Sequence, residues 1–163
     1  MIKLSIFKII NTMAIALSLI LLLNTQVAFA SPPASEVAPC EDWIQNMQFI
    51  VEPWRHHSKT YYSGRVRVVH IDTMGEPVCC SSRLVAYLPD SSDIFSGRKC
   101  LQLRSVLGGY EWINFSGIRS SYDSHLGLLL KVPVSHYVDG TSSLSEIVKI
   151  RFNLSTETLV IEP

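Results

Sequence analysis

Hydrophobic and polar residues alternate through most of this chain, and the alternation is clearest from Arg65 to Ile71. There Val66, Val68 and His70 interleave with Arg65, Arg67, Val69 and Ile71, the two-residue period of a β-strand. Met74, Gly75, Glu76 and Pro77 supply turn chemistry, and Val78 to Leu88 resumes an extended pattern, so Gly64 to Pro89 is predicted as a β-hairpin. Further on, Lys99, Leu101 and Leu103 alternate with Cys100, Gln102 and Arg104. Gly108-Gly109 turns the chain into an aromatic, β-branched strand from Tyr110 to Phe115. Ser116 to His125 reads as a serine-rich loop, followed by a strand with Leu126, Leu128, Leu130, Val132 and Val134 on one face. After a turn at Asp139-Gly140, Val148, Ile150, Phe152 and Leu154 alternate with Lys149, Arg151 and Asn153. Leu159-Val160-Ile161 closes the chain.

These elements predict a mainly β protein, an antiparallel sandwich or barrel of six to seven strands rather than a parallel sheet, because no helix-period segments separate the strands. One short N-terminal helix is expected between Cys40 and Val51. There Trp43, Ile44, Met47 and Ile50 recur at three- and four-residue steps before Pro53, although Phe49, Ile50 and Val51 also suit a strand.

The first thirty residues have the parts of a secretory signal: Lys3 and Lys8, an apolar run from Met13 to Leu23, and Ala28-Phe29-Ala30 at a bacterial-type cleavage site. The run falls short of the roughly 18 residues that span a bilayer. The expected organisation is a signal peptide at 1–30, a proline-rich disordered leader at 31–39 and a single β-sandwich domain at 40–163, exported to the periplasm or secreted. The chain has 14 basic and 14 acidic residues, and losing Lys3 and Lys8 leaves a formal charge of −2. That balance recommends neither nucleic acid nor an anionic membrane as partner. The expected partner is another exported or envelope protein, with no membrane span after signal cleavage.

Four cysteines in an oxidising compartment read as two disulfides. Metal binding is the competing use, but Cys79 and Cys80 are adjacent, whereas a chelating pair has two residues between its members. No metal or cofactor is expected. Three connectivities are possible among Cys40, Cys79, Cys80 and Cys100. Strand faces favour Cys79 with Cys100 and Cys40 with Cys80, since Cys80 shares a face with Leu84 and Leu88.

Val66 to Asp72, then Gly75-Glu76-Pro77-Val78, then Leu84 to Leu88 resemble the opening of transthyretin-like and carboxypeptidase-regulatory-like β-sandwich domains. Gly109-Tyr110-Glu111-Trp112 is similar to their later Gly-x-Tyr-x-Phe strand. The resemblance covers about a third of the chain beyond the signal, departs from the family at Cys79-Cys80, and implies an antiparallel Ig-like or transthyretin-like sandwich serving as a structural or binding module.

No His-Glu-x-x-His, Gly-x-Ser-x-Gly or phosphate loop occurs, and no catalytic residue is assigned. Serine, aspartate and histidine meet in the loop Ser116 to His125, but a triad needs convergence on a rigid scaffold, which closeness in sequence does not provide. The loop suits recognition better. Arg119 brings a charged fork and Tyr122 a flat amphipathic ring, and Ser116-Gly117 with Tyr122 is similar to a loop of small exported lysozyme inhibitors. Trp54 and Arg55 open a second basic, aromatic segment running to Tyr62, which reads either as a recognition surface or as an edge strand with its aromatics inward. His56 and His57 would point to opposite faces of such a strand and could not share an ion. The expected function is a non-enzymatic exported binding module, one version being an inhibitor or immunity-type partner of a secreted enzyme. The alternative is a small secreted hydrolase whose site forms only in three dimensions, for instance with His125 or His136 beside an acid and a serine.

Overall fold

Strand β3 (Val66–Asp72) is buried almost throughout. Val66, Val68 and His70 point to one side and Val69 and Ile71 to the other, so a strand that is apolar on both faces must be covered on both. Its neighbour β4 (Ser82–Pro89) behaves alike, with Leu84, Ala86 and Leu88 inward and Val85 and Tyr87 outward. The structure is a computed structural model in which residues 31–74, 80–95, 97–139 and 142–163 are described. The expected signal, the hairpin turn at 75–77 and Cys79 lie outside those residues.

The protein is mainly β, with two antiparallel sheets. In the first, β1 (Ser35–Pro39), β5 (Arg98–Ser105), β4, β3 and β2 (Ser58–Tyr61) lie side by side in that order. The second runs β10 (Thr158–Glu162), β9 (Ser142–Asn153), β8 (Gly127–Asp139). Two short strands, β6 (Trp112–Ile113) and β7 (Arg119–Asp123), share the far edge of β8. One core is common to both sheets: Val66, Leu84, Leu88 and Leu103 of the first meet Leu130, Val132, Ile150 and Phe152 of the second. The one-sided strand expected at Val148 to Leu154 is β9, its apolar face paired with Leu128, Leu130 and Val132 across β8.

Ten strands among the described residues replace the six or seven expected. The additional ones are short and lie at sheet edges, where exposure removes the apolar alternation that marks a strand. Residues 35–39, expected to be disordered, pair along their whole length with β5, because Val37 adds to the core and Glu36 meets Arg104 across the ladder. Part of the serine-rich loop is β7, exposed on both faces. Asn114 and Asn153 each open a turn: the Asn114 side chain accepts from Gly117 N–H, and that of Asn153 from Ser155 and Thr156 N–H.

In place of one helix at 40–51 there are two 3-10 turns, Asp42–Gln45 and Met47–Phe49. Asn46 separates them in extended conformation and its side chain caps the second, which fits the competing strand tendency of that stretch. The disulfide expectation is corrected as well. Cys40 is bonded to Cys100, so neither Cys79–Cys100 nor Cys40–Cys80 forms, and Cys80 is itself disulfide-bonded. The β1–β5 register explains this: Pro39 faces Leu101, so the next residue faces Cys100, with Cα atoms 5.4 Å apart. The face argument missed it because β1 was not recognised as a strand.

Candidate binding cleft

Residues 40–57 form an arch over the outer face of the first sheet. One foot is the Cys40–Cys100 bond, reinforced by Glu41, whose carboxylate accepts from Gln102 at 2.7 Å and from Arg104 at 3.2 Å and lies 3.6 Å from Arg83. The Gln102 hydrogen bond, aided by the two guanidiniums, holds the Glu41 carboxyl below the usual range. Arg83 is largely buried, which lowers its pKa, while its planar group lies over the Trp43 ring. The other foot is backbone: Val51 N–H donates to His70 O, and His70 N–H donates to His57 O at 2.9 Å.

Between the feet Ile44 is buried against Val69, Ile71 and Val85, with Phe49 and Ile50 packed beside it and Ile50 bridged to Ile71. The arch leaves a cavity of about 380 Å³ beside that contact. Its floor is Val69, Ile71, Val85 and Tyr87, and Ile44, Met47 and Ile50 hang from above. The exposed Gln45, Asn46, Glu52, Trp54 and Arg67, with Ser58, complete the lining at the mouth. Met47 is 80% exposed and Trp54 52% exposed, so two large apolar side chains flank an apolar hollow. An opening of that size, apolar in its depth and polar at its rim, is the usual shape of a small-ligand site.

Of the residues singled out in the sequence, Trp54 and Arg55 are brought together here, the Arg55 guanidinium lying 5.7 Å from the Trp54 ring centre. They sit on a 3-10 turn, Trp54–His56, rather than on a strand. Arg119 and Tyr122 are both exposed on β7 but, three residues apart on an extended strand, they point to opposite faces. Tyr122 meets Tyr62 edge-on at 5.7 Å. Because Trp54 precedes β2 and Tyr62 follows it, the two expected recognition surfaces lie at opposite ends of that strand.

Two histidine clusters bear on the hydrolase alternative. His70 is fully buried, its Nδ1 lies 3.0 Å from His57 Nδ1, and its Nε2 lies 3.3 Å from Ser82 Oγ. Burial, and then the neighbouring His57, push its pKa down to about 4, so the imidazole is neutral at physiological pH. Ser82 is as buried as His70, and a hydroxyl closed off from solvent offers a substrate no approach. In the second cluster Glu146 Oε1 accepts from Ser35 Oγ at 3.0 Å and lies 2.7 Å from His136 Nε2, while Tyr110 donates to Ser35 Oγ. The serine therefore faces the carboxylate and not the imidazole, which leaves out the nucleophile–base contact of a triad. His125 belongs to the β7–β8 turn, where its N–H donates to Asp123. Among the described residues no group of three or more His, Cys, Asp or Glu side chains is placed to hold a metal ion.

The cleft residues of the sheet escaped the sequence reading, although a signal existed. Val69, Ile71 and Val85 are apolar at positions whose strand neighbours already fill the core, which marks a second buried face. Compared with known protein families, curated proteins and solved structures, the chain matches none.

Proposed function

We propose that this chain is a non-enzymatic binding module, exported to the periplasm or beyond, that takes an apolar group into the cleft under the 40–57 arch. The single observation that supports the reading is the cavity itself, apolar inside and flanked by exposed Trp54 and Met47. A disulfide and the lack, among the described residues, of any helix long and apolar enough to cross a membrane fit an exported protein. We further propose that the two sheets form an Ig-like or transthyretin-like sandwich, which the shared core supports. A neutral apolar fluorophore, N-phenyl-1-naphthylamine, tests the function. Saturable binding that Val85→Phe abolishes by filling the cleft, and that Tyr122→Ala leaves unchanged, is the expected result. Absence of binding, or binding indifferent to Val85→Phe, would overturn it.

A second reading rests on β7, an open edge strand carrying Tyr122 at 65% exposure and Arg119 without a side-chain hydrogen bond among the described residues. It is the inhibitor or immunity-type partner of a secreted enzyme, engaged along that edge. Loss of partner capture in Tyr122→Ala, with an unchanged melting curve, is its test.

A further inference from the structure

The polar groups at the mouth of the cleft are unevenly matched. Arg67, exposed on the outer face of β3, makes no hydrogen bond or ion pair with its side chain to any described residue. Register places Thr60 and Tyr87 on either side of it and Ser58 opposite Val69, so these side chains share one face of the sheet. The Tyr87 and Ser58 hydroxyls likewise have no partner among the described residues. Burial of the Tyr87 ring raises its phenol pKa and keeps it a donor at neutral pH. The one acid at the mouth, Glu52, is already engaged, its Oε2 accepting from Trp54 N–H at 3.0 Å. The unmet demand is thus for an acceptor, and a guanidinium fork with two hydroxyls beside it is matched by a carboxylate.

We propose that the cleft binds an amphipathic carboxylate, its apolar body lying over Val69 and Val85 and its carboxylate held by Arg67 with Tyr87 and Ser58. This inference rests on the cleft being the binding site and adds the chemistry of what enters it. A cavity of about 380 Å³ has room for an apolar body of on the order of a dozen non-hydrogen atoms. The ligand is monoanionic at one end only, because Arg67 is the one cation among the described residues that line the cavity.

Three probes of equal chain length separate the two claims: decanoate, decanol and decyltrimethylammonium, each below its aggregation limit, titrated into the protein lacking residues 1–30 and followed by tryptophan fluorescence. Decanoate should bind about tenfold or more tightly than decanol and the cation more weakly still, with the decanoate preference shrinking as salt is added. Arg67→Met, which keeps an apolar stem, should bring decanoate down to decanol while decanol binding stays as it was. Equal affinity for decanoate and decanol in the parent, or a preference that survives Arg67→Met, overturns the carboxylate inference and leaves the cleft as an apolar site. Failure of all three probes to bind overturns the cleft reading itself.

Discussion

Protonating His70 would put a charge where no water reaches, which is why its pKa falls to about 4 from an ordinary 6.5. Above the ordinary value both folded and unfolded chains carry it neutral. Between that value and about 4 the unfolded chain binds the proton and the folded one does not, so stability falls as pH drops through this window. His57, also shifted down, acts in the same direction. Denaturant melts should therefore show a loss of roughly 2 kcal/mol between about pH 7 and about pH 5, and a much smaller loss in His70→Asn. A parent protein as stable at the lower pH would contradict the burial argument. Gly127 is a second single-residue test. Its φ is +94°, and a Cβ there would stand 2.2 Å from Phe152 O, a backbone atom that cannot turn aside. Gly127→Ala should cost more than about 1 kcal/mol, whereas an exposed substitution such as Ser121→Ala should change little.

The strands with apolar residues on one face were legible from sequence, and β9 shows why: Val148, Ile150 and Phe152 are buried at every second position and Lys149 and Arg151 are not. Phe152→Ala should cost roughly 3 to 5 kcal/mol, whereas Arg151→Ala should cost little despite its bidentate pairing with Glu162. Equal losses in denaturant melts would put the register off by one residue. The edge strands β1 and β7 were illegible because their neighbours bury them on one side at most, so Pro39 and the serines at 120 and 121 look like loop. The arch was misread for a related reason. Its apolar residues recur at helical spacing, but Ile44 is buried while Met47 is exposed, so they do not line one stripe. Closing a span of 60 residues, the Cys40–Cys100 bond should contribute about 4 kcal/mol on the chain-entropy model. A Cys40→Ser, Cys100→Ser protein should melt earlier and bind ligand more weakly even where it stays folded, since the foot of the arch is released. Unaltered affinity in that variant would show that the arch does not shape the site.

Across the whole molecule the division of labour follows from two buried faces. The inner face of the first sheet joins the second sheet in the main core, and its outer face is given to the arch and the cleft. Of the four binding residues named from sequence, Trp54 lines that cleft and Arg55 stacks on it, whereas Arg119 and Tyr122 stand apart on β7, on opposite faces. Arg67 and Tyr87 were not named, because a side chain becomes a site residue only when the arch closes over it. Export is testable at this scale too: intact mass of protein from the envelope fraction should correspond to a chain beginning at Ser31, and full-length protein in the cytoplasm would contradict it. The most direct test of the central claim is methyl chemical-shift mapping during titration with decanoate. Saturable shifts at Ile44, Ile50, Val69, Ile71 and Val85, with Val132 and Ile150 of the main core unmoved, are expected. Shifts confined to the neighbourhood of β7, or none at all, would contradict the account.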